Sequence, residues 1–258
     1  MTRSALRPIA LITGVGRRRS IGAGLALGLA RDGWDLALCH WRPYDERLGF
    51  DRGPDDPAAV AEECRALGAR VLLLDEDLAD PSVPERLVDA ASAEGPVTAL
   101  VMSHCESVDS SILTTELASW DRHFAVNARA TWLLIKSFAE RLPPASAGEA
   151  GGRIVALTSD HTVHNLPYGA SKGALDRIVT AAAVELADRG VRANVINPGP
   201  IDTGWMDDTT RRWTTDATPA GRLGTPGDTA DLVRFLLSPA GSWINGQVLA
   251  SDGGFSVR

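Results

Sequence analysis

The sequence predicts an α/β protein built on a doubly wound parallel β-sheet of about seven strands, with helices on both faces. Two observations carry this prediction. Short apolar runs rich in aliphatic residues alternate along the 258 residues with longer segments whose apolar residues recur at helical spacing. A glycine-rich turn, residues 14–22, follows the first apolar run and leads directly into the first helical segment. Such alternation of strands and helices is typical of a parallel sheet that is covered on both sides.

The predicted elements follow one another in a regular order. Seven short apolar segments are the predicted strands, and they comprise residues 9–13, 36–40, 71–75, 99–103, 154–158, 193–197 and 247–250. The predicted helices have the longer apolar period, and they comprise residues 21–31, 58–67, 84–93, 120–142, 168–189 and 229–237. Three polar or glycine-containing stretches, residues 42–57, 143–153 and 202–226, are predicted loops. The whole chain, residues 1–258, is predicted to form a single domain.

Composition and charge narrow the class of partner. The net charge of −7 argues against nucleic acid or an anionic membrane and favours a small-molecule substrate. No apolar run approaches the roughly 18 residues of a membrane span, and residues 1–10 lack the apolar core of a signal peptide. The three cysteines, Cys39, Cys64 and Cys105, are widely spaced and form no paired motif. We therefore expect reduced thiols, no bound metal and a cytoplasmic protein.

Tyr168 and Lys172 are the most informative pair of residues in the chain. The sequence contains only two tyrosines and two lysines, so this spacing is rare by chance. The helical period after Lys172 puts both side chains on one face near the start of a helix. An ammonium close to a phenol favours the phenolate and lowers a pKa that is about 10 in water. We therefore expect a tyrosine that takes or gives a proton near neutral pH.

Further motifs accompany this pair over nearly the whole chain. In order, they are Thr13-Gly14 to Gly22, Asp77-Leu78, Asn127 in Val-Asn-Ala-Arg, Ser159, Tyr168-x-x-x-Lys172, Asn197-Pro-Gly-Pro-Ile-Asp-Thr203, Gly221-Arg-Leu-Gly-Thr-Pro-Gly-Asp228 and Gly246-Gln with Asp252-Gly-Gly254. This ordered set resembles the short-chain dehydrogenase/reductase family, closest in pattern to its 3-oxoacyl-[acyl-carrier-protein] reductase branch. The resemblance implies a Rossmann-type fold and an NAD(P)-dependent enzyme. Such an enzyme interconverts a carbonyl and an alcohol, on a small or acyl-type substrate, by hydride transfer with tyrosine as acid and base.

The resemblance also implies a catalytic tetrad of Asn127, Ser159, Tyr168 and Lys172. Tyr168 would protonate the carbonyl oxygen as hydride arrives, and Ser159 would orient that carbonyl. Lys172 would hold the nicotinamide ribose and acidify Tyr168, whereas Asn127 would anchor a water molecule that links Lys172 to solvent. Taken singly, Ser159 and Asn127 could equally cap or end their elements.

The glycine-rich turn and the end of the second strand indicate the cofactor. Glycines let the backbone approach a pyrophosphate, to which a helix N-terminus offers N–H groups and a positive dipole end. Three arginines in the turn, residues 17–19, and the His-Trp-Arg sequence at residues 40–42 suit a 2′-phosphate, so we expect NADP(H), with NAD(H) as the alternative. The expected cofactor-binding residues are Gly14, Gly16, Arg17, Arg19, Ser20, Ile21, Gly22, His40, Trp41, Arg42, Asp77, Leu78, Ser103, His104, Tyr168, Lys172, Pro198, Gly199, Ile201 and Thr203.

Four segments depart from the family pattern. The first turn is two residues longer than usual and carries Ser20, a helix N-cap, where the family has glycine. The sequence Ser-His-Cys-Glu at residues 103–106 replaces Asn-Asn-Ala-Gly. Although His, Cys and Glu are metal-ligating residue types, adjacent residues cannot easily face one metal ion, so we expect none here. The segment before Tyr168 is about four residues shorter than usual, and residues 42–57 form a long connection. The short segment contains His161, His164 and Asn165.

Residues 202–226 correspond by position to the mobile substrate lid of the family. Trp205, Met206 and Trp213 could give this lid an apolar, aromatic inner surface, or could equally pack on a neighbouring subunit. Other functions stay open: a cofactor-binding protein without redox turnover, such as a sensor or assembly partner, or an epimerase or dehydratase. Enoyl reductases usually space tyrosine and lysine more widely, which speaks against that reaction.

The resemblance implies a homotetramer, or a homodimer, paired through the predicted helices 120–142 and 168–189.

Overall fold

The computed structural model describes residues 7–50, 56–143 and 151–257 of the chain. Within these residues, seven strands form one parallel sheet in the order β3-β2-β1-β4-β5-β6-β7. The strands are β1 (Ile9–Thr13), β2 (Asp35–His40), β3 (Val71–Asp75), β4 (Val97–Met102), β5 (Arg153–Leu157), β6 (Arg192–Asn197) and β7 (Val248–Ala250). The strand order reverses between β1 and β4, the switch point at which doubly wound sheets bind ligands. The predicted fold class is confirmed.

Helices connect the strands and cover both faces of the sheet. They are α1 (Ile21–Arg31), α2 (Arg42–Arg47), α3 (Asp56–Ala66), α4 (Val83–Ala93), α5 (Leu117–His123), α6 (Ala130–Arg141), α7 (Leu166–Glu185), α8 (Asp208–Ala217) and α9 (Pro226–Leu237). A π-helical turn, Phe124–Arg129, joins α5 to α6. None of the helices in the described ranges is long and apolar enough to cross a membrane.

Two apolar layers hold these helices on the sheet. On one face, Leu100 of β4 and Phe138 of α6 belong to a single buried cluster. On the opposite face, Ile12 of β1 is buried together with Leu29 of α1 and Val233 of α9. Because both faces are covered, the central strands are continuous apolar runs without the alternation of a half-exposed strand. Burial on both sides fixes the edge at which the loops after β1, β4, β5 and β6 meet.

Several predicted boundaries differ from the observed ones. The predicted helix at residues 120–142 is instead α5, the π-helical turn and α6. The predicted loop at residues 42–57 contains α2 and the start of α3, and the predicted lid at 202–226 contains α8. Helices α2 and α8 were missed because both are short and polar, so neither has an apolar stripe at helical spacing. Of the predicted loop 143–153, residues 144–150 lie outside the described residues.

Candidate active site

A cavity of about 730 Å³ opens at the carboxyl ends of β1, β4, β5 and β6, at the switch point of the sheet. The structure brings most of the expected site residues together in its wall. They are Gly14, Gly16, Arg17, Ser20, Ile21, His40, Trp41, Asp77, Leu78, Ser103, His104, Ser159, Tyr168, Lys172, Pro198, Gly199, Ile201 and Thr203. Four other expected residues, Arg19, Gly22, Arg42 and Asn127, are not part of the wall.

The glycine turn closes tightly against the loop after β4. Gly14 has a φ of +79°, and a Cβ at this position would lie 2.5 Å from the backbone oxygen of Ser103. A Cβ on Gly22 would collide with the backbone oxygen of Gly14. Ser20 caps α1 by accepting a hydrogen bond from the Ala23 N–H at 3.1 Å, as expected from the sequence. The turn and the start of α1 therefore form a narrow backbone cradle in the cavity wall, a shape and polarity that fit a pyrophosphate.

Lys172 lies buried at the base of the cavity, one helical turn after Tyr168. Its Nζ donates to the backbone oxygen of Leu157 at 2.8 Å and faces that of His104 at 3.4 Å. The same nitrogen is 5.8 Å from the centre of the Tyr168 ring. Ser159, two residues beyond the end of β5, is hydrogen bonded to Tyr168. Three of the four expected catalytic side chains thus meet in one place.

The short loop between Ser159 and α7 is fastened to that helix. The Ser159 hydroxyl accepts a hydrogen bond from the His161 N–H at 3.1 Å. A Cβ on Gly169 would collide with the backbone oxygen of His161, so the loop packs directly on α7 where that residue has no side chain. His164 has a φ of +62°, an unusual conformation for a residue with a side chain. Its backbone oxygen accepts from the Ser110 N–H at 3.1 Å, which ties the loop to the segment after β4.

Asn127 lies in the π-helical turn behind the cavity wall and is completely buried. Its Oδ1 accepts from the Glu106 N–H at 2.7 Å, and its Nδ2 donates to the Glu106 oxygen and to Ser171 Oγ, each at 2.9 Å. Its backbone oxygen accepts from the Thr131 hydroxyl at 2.8 Å. The side chain of Asn127 is therefore committed to holding the loop after β4 and α7 in place.

Burial dominates the protonation of the catalytic pair. The pKa of Tyr168 is raised because the phenol is buried, and its hydrogen bond with Ser159 offsets only part of this effect. The pKa of Lys172 is lowered, again chiefly because the ammonium is buried. The direction of this pKa shift is opposite to the acidification of Tyr168 that was expected from Lys172, because desolvation disfavours the phenolate. At neutral pH Tyr168 keeps its proton.

The three arginines of the first turn are each paired with an acidic side chain from another element. The pairs are Arg17 with Asp45 at 3.1 Å, Arg18 with Glu63, and Arg19 with Asp202 at 2.7 Å. A phosphate group would have to compete with these carboxylates for the guanidinium groups. Arg42 is more exposed, and its guanidinium lies 3.8 Å from Glu46 in the next turn of α2.

Arg122 of α5 lies in the cavity wall, and no sequence motif indicated it as a site residue. Its guanidinium donates to both carboxylate oxygens of Asp77 at 3.1 Å and contacts Glu106 Oε2 at 3.2 Å. It also lies 4.5 Å over the ring of Trp41, and Arg47 pairs with Glu106. Asp77, an expected cofactor residue, is thus already bound by a cation. The partners of Arg122 are 16 and 45 residues away along the chain, so no local pattern indicates this network.

Residues 42–50 reach across the cavity toward the lid. The Phe50 ring lies 6.3 Å from the ring of Trp205, and the Arg17 guanidinium stacks 4.5 Å over Phe50. Arg17 also donates to the backbone oxygen of Thr203 at 2.9 Å. The glycine turn, the connection after β2 and the lid therefore contact one another on one side of the cavity.

The lid contains α8, which Asp207 caps by accepting from the Thr210 N–H at 2.7 Å. Trp205, Met206 and Trp213 line the cavity, as expected. Asp207 also lines it, so the inner surface of the lid is aromatic with a few polar groups.

The segment at residues 103–106 holds its side chains in different ways. His104 is buried, with Nδ1 at 2.7 Å from Thr13 Oγ1 and Nε2 at 3.1 Å from the backbone oxygen of Val126. Glu106 is buried against arginines, and Cys105 is a half-buried free thiol. Across the residues that the structure describes, no three histidine, cysteine, aspartate or glutamate side chains cluster so as to hold a metal ion.

The fold and the cavity together define a dinucleotide-binding oxidoreductase, and comparison with known proteins gives its family. The family model described as "Enoyl-(Acyl carrier protein) reductase" matches residues 14–256. An uncharacterized oxidoreductase of Bacillus subtilis is 33% identical over 258 residues, which cover 96% of both chains. An NADPH-dependent aldehyde reductase-like protein of Arabidopsis thaliana is 32% identical, over 96% of this chain and 93% of its own.

A solved structure shows the same relationship. The blue fluorescent protein from a metagenomic library, in complex with NADPH, superposes with a TM-score of 0.82 at 29% identity, over 96% of this chain and 98% of its own. The chain belongs to the short-chain dehydrogenase/reductase family, and it is an NAD(P)-dependent oxidoreductase.

Proposed function

We propose that the protein is an NADP(H)-dependent enzyme that interconverts a carbonyl and an alcohol, with Tyr168 as the acid and base. The observation that carries this proposal is that Tyr168, Ser159 and Lys172 lie in the wall of the same cavity as the glycine turn. When bound, the nicotinamide supplies or accepts the hydride. NADPH is named for two similar proteins. One is the NADPH-dependent aldehyde reductase-like protein, and the other is the blue fluorescent protein, whose structure is a complex with NADPH.

The roles of the catalytic residues follow from their surroundings. Tyr168 donates its proton to the carbonyl oxygen, and Ser159, hydrogen bonded to Tyr168, orients that oxygen. Lys172 has two backbone oxygens as partners and can direct its remaining N–H toward the cofactor ribose. Asn127 contributes indirectly, because its amide donates hydrogen bonds to the backbone oxygen of Glu106 and to the hydroxyl of Ser171 and so holds both in place. We assign it a positioning role in place of a water-binding one.

The cradle supports the assignment of the cofactor residues. Gly14, Gly16, Ser20 and Ile21 surround the start of α1 and would hold the pyrophosphate. The expected residues after β6 also line the cavity and would hold the nicotinamide; they are Pro198, Gly199, Ile201 and Thr203. Gly22, which packs on Gly14, and Arg19, which pairs with Asp202, would keep the turn in shape.

The pH dependence of the two directions should differ. Because burial raises the pKa of Tyr168, the phenol is protonated at neutral pH, and we expect carbonyl reduction to be nearly independent of pH between about 6 and 8. Alcohol oxidation needs the phenolate, whose fraction grows about tenfold per pH unit below the pKa, so its rate should rise from pH 7 to 9. Initial rates in both directions measure this. An oxidation rate that is flat over this range would contradict the protonation state inferred for Tyr168.

Cofactor preference is measured by comparing NADPH with NADH. We expect oxidation of NADPH in the presence of aldehydes and ketones, with a Michaelis constant at least about tenfold lower than that of NADH. The reason is the set of arginines at the turn and after β2. A 2′-phosphate would have to compete for Arg17, Arg18 and Arg19 with the carboxylates that already pair with them. A lower constant for NADH would overturn the NADP(H) assignment. Absence of turnover with either cofactor across a broad carbonyl panel would instead contradict the proposed reaction.

We also propose that residues 1–258 form one domain whose lid spans about 202–226, and that the protein is a cytoplasmic homotetramer or homodimer. Trp132 of α6 is 52% exposed and Val184 of α7 is 77% exposed. Both helices are among those expected to pair, and exposed apolar side chains on them support an interface there. The cysteines are all unpaired, which supports a reducing compartment.

A further inference from the structure

We propose that His104 is a positioning residue for Lys172, whose ring locks in place the backbone oxygen that faces the lysine ammonium. This role rests on the proposed function only in that Lys172 is taken to bind the cofactor ribose. His104 belongs to the segment 103–106 that departs from the family pattern, and nothing in the proposed reaction uses its side chain.

The hydrogen bonds of the His104 ring fix its tautomer. The Val126 backbone oxygen can only accept, so Nε2 of His104 carries the proton and donates to it across 3.1 Å. In the neutral ring Nδ1 is then an acceptor, and it receives the Thr13 hydroxyl proton across 2.7 Å. Burial, together with the cation of Lys172, lowers the pKa of His104 to about 3. The ring is therefore a neutral link with one donor and one acceptor, and both are used.

This link joins three elements that carry the site. Thr13 ends β1 directly before the glycine turn, and its hydroxyl oxygen also accepts from the Ser103 N–H at 3.2 Å. Val126 lies in the π-helical turn next to Asn127. Gly14 packs so closely on the peptide between Ser103 and His104 that a Cβ would lie 2.8 Å from the His104 nitrogen. The peptide of His104 is thus held by the cofactor-binding turn on one side and by the π-helical turn on the other.

The fixed peptide is one of two that face Lys172. The ammonium is 3.4 Å from the His104 oxygen and 2.8 Å from the Leu157 oxygen. Burial lowers the pKa of Lys172, so a buried ammonium depends on such carbonyl oxygens to remain charged. The titratable groups near it are Cys105, Asp176, Tyr168 and the neutral ring of His104. If the His104 ring is replaced, we expect the oxygen to move and Lys172 to lose part of its stabilisation.

The sequence makes a direct test simple, because the chain contains only two lysines, Lys136 and Lys172. Labelling lysine with ¹³C at Cε gives two NMR signals, and the half-exposed Lys136 serves as an internal reference. We expect the pKa of Lys172 to fall by about 0.5 units or more in His104→Phe, with Lys136 unchanged. In His104→Gln, whose amide nitrogen can replace Nε2, the value should stay within about 0.2 units of the wild type.

Two further variants make the result independent of general damage. His123 is another fully buried histidine whose ring is hydrogen bonded to the backbone, to the Ser119 oxygen at 2.7 Å and from the Val108 N–H at 3.0 Å. His123→Phe should lower thermal stability while the titration of Lys172 stays unchanged. Thr13→Val removes the donor to Nδ1 and should shift Lys172 in the same direction as His104→Phe, which also serves if His104→Phe does not fold.

The positioning role is overturned if Lys172 titrates as in the wild type in both His104→Phe and Thr13→Val, or if His123→Phe shifts it equally. The titration needs no turnover. A catalytically inactive protein would therefore contradict the proposed function, whereas the effect of His104 on the pKa of Lys172 could still be measured.

Discussion

Replacing Tyr168 with phenylalanine is expected to lower kcat by about 10²- to 10⁴-fold while the affinity for NADPH changes less than about threefold. Tyr168 is half-buried in the cavity wall, where desolvation raises the pKa of its phenol and its side chain is hydrogen bonded to Ser159. Phenylalanine keeps the ring and its packing but cannot give a proton to the carbonyl oxygen. Initial rates with a carbonyl substrate and fluorescence titration with NADPH measure the two quantities separately.

The second tyrosine of the chain provides a control for this experiment. Tyr44 lines the same cavity, and burial raises its pKa as well. Its hydroxyl is hydrogen bonded to Cys105. Tyr44→Phe should therefore retain most of the turnover. If Tyr168→Phe kept wild-type turnover, or if Tyr44→Phe lost as much as Tyr168→Phe, Tyr168 would not be the proton donor.

Replacing Gly14 with alanine is the second change with a large expected effect. The φ of +79° costs a residue with a side chain about 1–2 kcal/mol, and the new Cβ would lie 2.5 Å from the Ser103 oxygen. We expect the free energy of unfolding to fall by about 2–4 kcal/mol. Because the turn must shift to relieve the contact, the affinity for NADPH should also fall at least about tenfold. Urea unfolding and NADPH titration measure these effects.

Gly173→Ala is the matched control. Gly173 lies inside α7, and a Cβ there would have no other described atom within 4 Å, apart from the helix itself and the adjoining residues. Alanine at this position should leave NADPH affinity unchanged and stabilise the protein by about 0.5–1 kcal/mol. Equal losses in Gly14→Ala and Gly173→Ala would show that the close approach of the glycine turn to Ser103 is unimportant.

The sequence was sufficient to predict those elements whose apolar pattern reflects burial. The strands around β1 and β4 are covered on both faces, so they appear as unbroken apolar runs, and α1 was predicted with its observed ends. Helices α2 and α8 were not predicted, because polar side chains and tertiary contacts stabilise them. The π-helical turn was missed because one extra residue in a helical turn leaves little trace in the apolar period.

Within the candidate site, the sequence indicated groups but not their mutual arrangement. Tyr168, Ser159 and Lys172 could be selected because their spacing and order follow a family pattern. The direction in which the pKa of Tyr168 shifts could not be predicted from the sequence, because it depends on how deeply the phenol is buried. The pairing of Arg19 with Asp202 joins residues 183 apart, and Arg122 has no motif of its own. Such pairs depend on how the loops meet, which no local pattern records.

The attachment of the loop after Ser159 has a practical consequence for engineering the range of substrates. The backbone of His161 rests on Gly169, and the Ser159 hydroxyl is held by the His161 N–H. The side chains of residues 161–163 are exposed, and His161 lines the cavity. A mutational library confined to these three side chains therefore changes one wall of the cavity while the backbone that positions Ser159 is preserved. Insertions in this loop, or any side chain at Gly169, would displace Ser159 as well as the cavity wall.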